Sequence, residues 1–284
     1  MTKRPVVIGV VNDIHAGSTV AVCTPEVELD DGQFYRRSKV QGWLADCWDD
    51  YWRQVEEKRK AEKADFYLVV NGDAVEGDHH RTSQIISRNM TAQKNVVGQL
   101  LQTPLALKPE RIIIVRGTSA HTGEAAEAEE NIAAGMLKDG LPVVECPDTG
   151  KASWWHPVVD IHNTRLDIAH EGRAGHREHT RQSAMSLYAH DILLTHVKDG
   201  DQPPDLCLRA HYHRWADSYD ACQVRVVTNA AWQLKTSFTH QKKTDSMANI
   251  GGIILTIRPD AAPADYDLRK ISYKASRGTV CRLA

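Results

Sequence analysis

The sequence predicts an α/β fold, and three observations predict it. Apolar runs rich in Val, Ile and Leu recur along the chain. Several of them are continuously apolar rather than alternating, which suits strands buried on both faces. Segments with helical spacing lie between them, and strands alternating with helices are the pattern of α/β proteins.

The elements follow in order. Val6–Val11 reads as the first strand. The stretch from Gly17 to Arg37 holds Thr24-Pro25-Glu26 and Asp30-Asp31-Gly32 and reads as a loop excursion. Ser38 to Lys63 places Trp43, Cys47, Tyr51 and Val55 at four-residue steps, which predicts a helix whose tryptophans are packing residues. Strands are expected at Phe66–Val70, Arg111–Val115, Arg165–Ala169, Asp205–Ala210, Gln223–Val227 and Ile250–Ile257. Helices are expected at Thr91–Leu101, Ala125–Leu137 and Glu178–Ala189. The tail from Pro259, with Pro263, reads as irregular. With no linker, repeat or low-complexity tract, residues 1–284 are expected to form one domain.

Composition bounds the function. The 284 residues are 42% apolar and 25% charged, which is globular and excludes wholesale disorder. Lys and Arg number 35 against 37 Asp and Glu, a net charge of −2 that excludes a strongly basic nucleic-acid-coating protein but allows a local basic patch. No apolar run approaches the ~20 residues that span a bilayer, and Val6–Val11 is too short for a secretory signal. Six scattered cysteines, with no C-x-x-C, read as reduced thiols, so a cytoplasmic location is expected. The unusual count is fourteen histidines.

The chemistry sits where the strands end. Val6–Val11 runs into Asn12-Asp13-Ile14-His15, and Phe66–Val70 into Asn71-Gly72-Asp73-Ala74-Val75-Glu76. Arg111–Val115 runs into Arg116-Gly117-Thr118-Ser119-Ala120-His121, Arg165–Ala169 into His170-Glu171-Gly172, and Asp205–Ala210 into His211-Tyr212-His213. A lone G-D is a common turn, and a lone D-x-H is usually a turn with a surface histidine. Five consecutive strands ending in Asp or His are different, because α/β sheets bind ligands beyond the carboxyl ends of their strands. Asp and His without Cys suit Mn, Fe, Zn, Co or Ni. Two aspartates with four or five histidines exceed the needs of one ion and fit two, a device of phosphoester hydrolysis.

The order D-x-H, G-D-x-x-E, G-…-H, H-x-G, [GA]-H-x-H resembles the calcineurin-like metallophosphoesterase superfamily from Asp13 to His213. The resemblance continues more softly through Thr228-Asn-Ala-Ala-Trp-Gln-Leu-Lys to Ile257. Gly17 to Trp43 resembles a branch common in phage and prophage genomes, which would place the protein in a bacterial host cytoplasm. The resemblance implies two mixed β-sheets packed face to face with helices outside, an α/β/β/α sandwich. It implies that Asp13, His15 and His213 hold one metal, that His170 and His211 hold a second, that Asp73 bridges both, and that His121 is the catalytic histidine. It departs from the family at two positions. Thr118 stands where the family has an asparagine ligand directly before its histidine, and Ala210 replaces a glycine.

The implied function is metal-dependent hydrolysis of phosphoester bonds by a phosphodiesterase or nuclease, using a hydroxide held by two divalent ions. Manganese is the first expectation, with Fe, Zn, Ni, Co and Mg as alternatives. The substrate would be a phosphoester, with nucleic acid or a nucleotide among the candidates. The alternative reading is a metal-binding scaffold that acts through protein interaction, its chemistry weakened at Thr118. His79 and His80 are expected to rim the site. Arg173, with Arg177, His176, His179 and Arg181, is a candidate basic rim. Trp154 and Trp155 are candidates for the outer wall, and Trp215 for stacking on the substrate.

Overall fold

The computed structural model describes residues 3–79, 82–173, 175, 178–242, 247–260, 262 and 264–276. In chain order the elements are β1 (Val6–Val11), a hairpin of β2 (Glu26–Glu28) and β3 (Phe34–Arg36), α1 (Lys39–Glu62), β4 (Asp65–Asn71), α2 (Met90–Leu105) and β5 (Arg111–Val115). There follow α3 (Ser119–Thr122), α4 (Glu127–Lys138), β6 (Val158–Ile161), β7 (Thr164–Ile168), α5 (Arg181–Asp199) and β8 (Leu206–Arg209). The chain ends with β9 (Ala216–Asp217), β10 (Arg225–Thr228), α6 (Ser237–Lys242), β11 (Ile250–Ile257) and β12 (Tyr266–Tyr273).

Two five-stranded sheets form, in the orders β12-β11-β1-β4-β5 and β6-β7-β8-β10-β9. Both are mixed. β1, β4 and β5 run parallel, as do β7, β8 and β10, while β11, β12, β6 and β9 pair antiparallel. The period of two in a strand sorts the side chains into layers. Val6, Ile8 and Val10 of β1 join Leu166, Ile168, Leu206, Leu208 and Val227 in a core between the sheets. Val7 and Val11 face the other way, into a core shared with Leu44, Trp48, Trp52, Val96 and Ala133 of α1, α2 and α4. On the far side Met185 and Ala189 of α5 pack on Cys207, Val224 and Val226. This is the α/β/β/α sandwich that the resemblance implies. Runs buried on both faces have to be continuously apolar, which is why β1 and β11 read as they do.

α1 begins at a capping box, with the Ser38 hydroxyl accepting from Gln41 N and the Gln41 side chain accepting from Ser38 N. Trp48 and Trp52 are fully buried and meet edge to face, as expected for packing residues. Three expectations need correction. The excursion at 17–37 carries the β2–β3 hairpin. The tail from Pro259 is not irregular throughout, since Tyr266–Tyr273 pairs with all of β11. Its charged residues Asp267, Arg269 and Lys270 masked the alternation, and they are what an edge strand carries. The helix expected to stop at Ala189 runs on to Asp199, past the exposed apolar residues Leu194 and Val197 that blur its pattern. Among the described residues no helix is long and apolar enough to cross a membrane.

Candidate active site

The carboxyl ends of β1, β4 and β5 in one sheet and of β7 and β8 in the other meet at one place. Asp13 and His15 leave β1, Asp73 leaves β4 and Thr118 leaves β5, while His170 follows β7 and His211 and His213 follow β8. Two groups of donor atoms result, Asp13 with His15 and His213, and Asp73 with His170 and His211, each with its atoms within 4.8 Å of one another. Each group draws on both sheets.

Asp13 Oδ1 lies 3.3 Å from His213 Nε2 and 3.7 Å from both His15 Nε2 and His170 Nε2, so one oxygen faces histidines of both groups. Its other oxygen, Oδ2, accepts from His211 N at 3.0 Å and from Asn12 Nδ2 at 2.5 Å. Asp73 Oδ2 lies 3.1 Å from His170 Nε2. Asp73 Oδ1 accepts from Thr118 N at 2.6 Å and from Thr118 Oγ1 at 3.0 Å. The Thr118 hydroxyl thus turns its proton toward Asp73. The histidines are oriented from behind: His170 Nδ1 donates to Asn71 O at 2.6 Å, and His121 Nδ1 donates to Glu76 O at 2.7 Å.

The backbone is held in place for this. Asp13, His15, Asp73, His211 and His213 all have φ between 48° and 72°. Left-handed conformations are uncommon away from glycine, and their clustering marks a functional site. Two glycines make the close approaches possible. A Cβ on Gly72 would fall 2.3 Å from His170 Nδ1, and one on Gly117 would fall 2.2 Å from Asp73 N. Behind the H-x-H segment the buried Arg209 Nη1 pairs with Asp167 Oδ1 at 2.6 Å and anchors the end of β8.

The charges are tightly coupled. Burial opposes a charge on His15, but the Asp13 and Glu76 carboxylates overcome it and push the imidazole up to about 10. Burial likewise opposes a charge on His170, and Asp73 and Asp13 push it up to about 10. Asp13 and Asp73 are buried, which favours the neutral acid, yet the surrounding histidines hold both below the usual carboxylate range. Burial and the neighbouring His15 charge bring His121 down to about 4.

A cation fits these donors. Asp13 Oδ1 and His170 Nε2 are buried and make no hydrogen bond, and His15 Nε2 and His213 Nε2 stand only 3.0 Å apart. Carboxylate and imidazole donors without sulfur suit Mn, Fe, Zn, Co or Ni. Above the donors opens a cleft of about 770 Å³, within the range of small-molecule sites.

Sequence reasoning passed over Glu76, which is buried. Its Oε2 lies 3.1 Å from His15 Nδ1 and accepts from Gln233 Nε2 at 2.7 Å, while Oε1 lies 3.2 Å from His79 Nε2. His15, Glu76 and His121 also form a third group of candidate donors. Only the spacing G-D-x-x-E hinted at it. Asn12 and Asn229 were also missed: Asn229 donates to Asn12, which donates to Asp13 and to Ala230 O. Glu129 carries no motif either. It is buried behind Asp73, accepts from Ala74 N at 3.0 Å, and is pushed up to about 7 by burial.

His79 lies in the cleft wall, with its ring 4.2 Å from that of His121. His80, His176 and Arg177 lie outside the described residues. The structure takes other candidates away from the cleft. Arg173 is exposed and pairs with Asp191 at 2.7 Å. Trp215 leans toward β12, with Nε1 donating to Ser272 Oγ at 3.4 Å and Lys270 Nζ 5.9 Å from its ring. Trp154 donates to Val144 O, and Trp155 lies beneath Arg116. Besides its histidines, the aromatic residues that line the cleft are Tyr212, whose hydroxyl donates to Gly172 O, and Phe238.

No family model and no curated protein sequence matches this chain. Similar solved structures include an archaeal phosphodiesterase, at 12% identity and TM-score 0.38 over 94% of this chain and 99% of that one. A dimetal phosphatase from Danio rerio is 11% identical at TM-score 0.40, over 88% and 94% of the two chains. Vps29 from Chaetomium thermophilum is 10% identical at TM-score 0.42, over 94% and 97%. At such values the chemistry has to come from the chain's own residues.

Proposed function

We propose that this protein is a metal-dependent phosphoesterase that cleaves phosphodiesters, nucleotide or nucleic-acid diesters among them. The observation that carries the reading is the pair of donor groups, drawn from both sheets and meeting at Asp13 Oδ1 beneath a cleft that His15, His211 and His213 line. Asp13, His15 and His213 would hold one divalent ion, and Asp73, His170 and His211 a second, with manganese the first ion to try. Two bound divalent ions acidify water and neutralise phosphoryl oxygens.

The chain's own residues supply the rest. His121 is fixed by its Nδ1–H on Glu76 O, so Nε2 is the atom left to exchange a proton with the reacting oxygens. Arg214 and Lys235 place cationic side chains in the cleft wall, where they favour an anionic substrate. The five described cysteines are free, which supports a reducing compartment.

The second reading, a metal-binding scaffold, draws on one observation. At Thr118, where the resemblance has an asparagine ligand, the second group of Asp73, His170 and His211 has only a hydroxyl that donates to Asp73 beside it. The test is hydrolysis of bis-p-nitrophenyl phosphate by protein stripped of metal and reloaded with Mn²⁺. Metal-dependent release of p-nitrophenolate is expected. Metal uptake with no hydrolysis of any diester would favour the scaffold.

A further inference from the structure

We infer that the cleft carries a subsite for a planar aromatic ring, built on Phe238, and that the substrate is therefore a nucleotide-type phosphodiester. The inference rests on the proposed phosphoesterase reading and extends it from the reacting group to one arm of the substrate.

The sequence points to the tryptophans, Trp215 first, for a stacking surface. The structure turns Trp215 toward β12 and puts Phe238 in the cleft wall instead. Phe238 is 58% exposed, although a large apolar side chain gains most by burial. Its segment is not loose. Leu234 N donates to Val20 O at 2.9 Å, Ser237 N donates to Gln84 Oε1 at 2.6 Å, and His240 N donates to Thr236 O at 2.9 Å. The wall thus holds Phe238 on a backbone tied to the opposite loop at Gln84.

The same segment is continuous with the reaction centre. Gln233 donates to Glu76, which lies 3.1 Å from His15 Nδ1, so the chain runs from the metal donors through Lys235 to Phe238 along one wall. Lys235, a cation, follows Gln233 in the chain and precedes Phe238, and all three line the cleft. That order matches a molecule whose phosphate lies deep and whose ring lies outward. A volume of about 770 Å³ leaves room for a nucleoside beyond the phosphate. A benzyl side chain stacks on any nucleobase, since every base has a π-face, so the subsite recognises the class and not one base.

Two anions that differ only in the ring separate the two claims. Adenosine 5′-monophosphate and ribose 5-phosphate are titrated calorimetrically into the Mn²⁺-loaded protein, wild type, Phe238→Ala and Phe238→Tyr. Adenosine monophosphate should bind the wild type at least tenfold more tightly than ribose 5-phosphate. Phe238→Ala should weaken it roughly tenfold, about 1.4 kcal/mol, with ribose 5-phosphate unchanged. Phe238→Tyr should keep most of the difference. An unchanged melting temperature shows that the exposed side chain was removed without harm to the fold. Equal affinities in the wild type, or equal losses for both ligands in Phe238→Ala, overturn the subsite. The phosphoesterase reading fails separately, if the wild type binds these anions but hydrolyses no diester.

Discussion

At Asp13 one carboxylate oxygen faces histidines of both donor groups, whereas Asp73 lies against His170 and gives its other oxygen to Thr118. The family resemblance implies Asp73 as the shared ligand, and the two placements predict different losses. With Asp13 shared, Asp13→Asn should abolish uptake of both ions and cost about 10³-fold or more in turnover, the equivalent of about 4 kcal/mol. Asp73→Asn should still take up one ion. Elemental analysis of the two variants after Mn²⁺ loading checks this, and one ion retained in Asp13→Asn with none in Asp73→Asn would return the shared role to Asp73. His121 makes a different prediction. Its Nδ1 is occupied by Glu76 O, so His121→Ala should keep the bound metal and lose about 10²-fold in turnover. A full equivalent of metal lost on mutation would make His121 a ligand. Of these residues, every Asp and His was legible in the sequence because it followed an apolar strand. Glu76, Asn12 and Glu129 were not, because their importance comes from contacts across long stretches of chain.

Elements were legible where burial made them monotonous. β1, β5 and β11 end where their apolar runs end, and α1 lies between Ser38 and Lys63 as its spacing requires. Edge strands β6 and β12 carry charges and half-exposed positions, so their pattern merges with that of loops. Sequence spacing also could not show how near the β4 and β5 ends approach. Gly117 measures it: a Cβ there would lie 2.2 Å from Asp73 N and 2.9 Å from Asp73 Cα, both backbone atoms that cannot rotate away. Gly117→Ala should therefore push the two strand ends apart, lower the melting temperature by several degrees and weaken binding of an ion at Asp73. Gly98, in the middle of α2, is the control, because nothing lies within 4 Å of its added Cβ. Gly98→Ala should stabilise by about 0.5–1 kcal/mol with metal binding intact. Equal melting temperatures for wild type and Gly117→Ala would show that the ends have slack.

Over the whole molecule the donor groups act as a clasp between the two sheets, since each takes residues from both. Without metal the clasp is closed by protons. His15 and His170, pushed up to about 10 by the buried carboxylates, stay protonated in the folded chain. In the unfolded chain they titrate near their ordinary value of about 6.5. Below about 6.5 both states hold the two protons, and the stabilisation is fully present. As pH rises from there toward about 10 the unfolded chain has released them and the folded chain has not, so stability declines, by up to about 1.4 kcal/mol per proton per pH unit. The metal-stripped protein should therefore melt progressively lower between pH 6.5 and 8.5. Metal ions replace those protons, so the loaded protein should show little slope in that window. A divalent ion at a hundred times its dissociation constant adds about 2.7 kcal/mol. The gap between loaded and stripped melting temperatures should widen with pH, because protons compete less for the same nitrogens. Thermal melts in chelator and in Mn²⁺ across this range measure it. Parallel curves would mean that His15 and His170 do not exchange protons for metal, and that the clasp is held by something other than these charges.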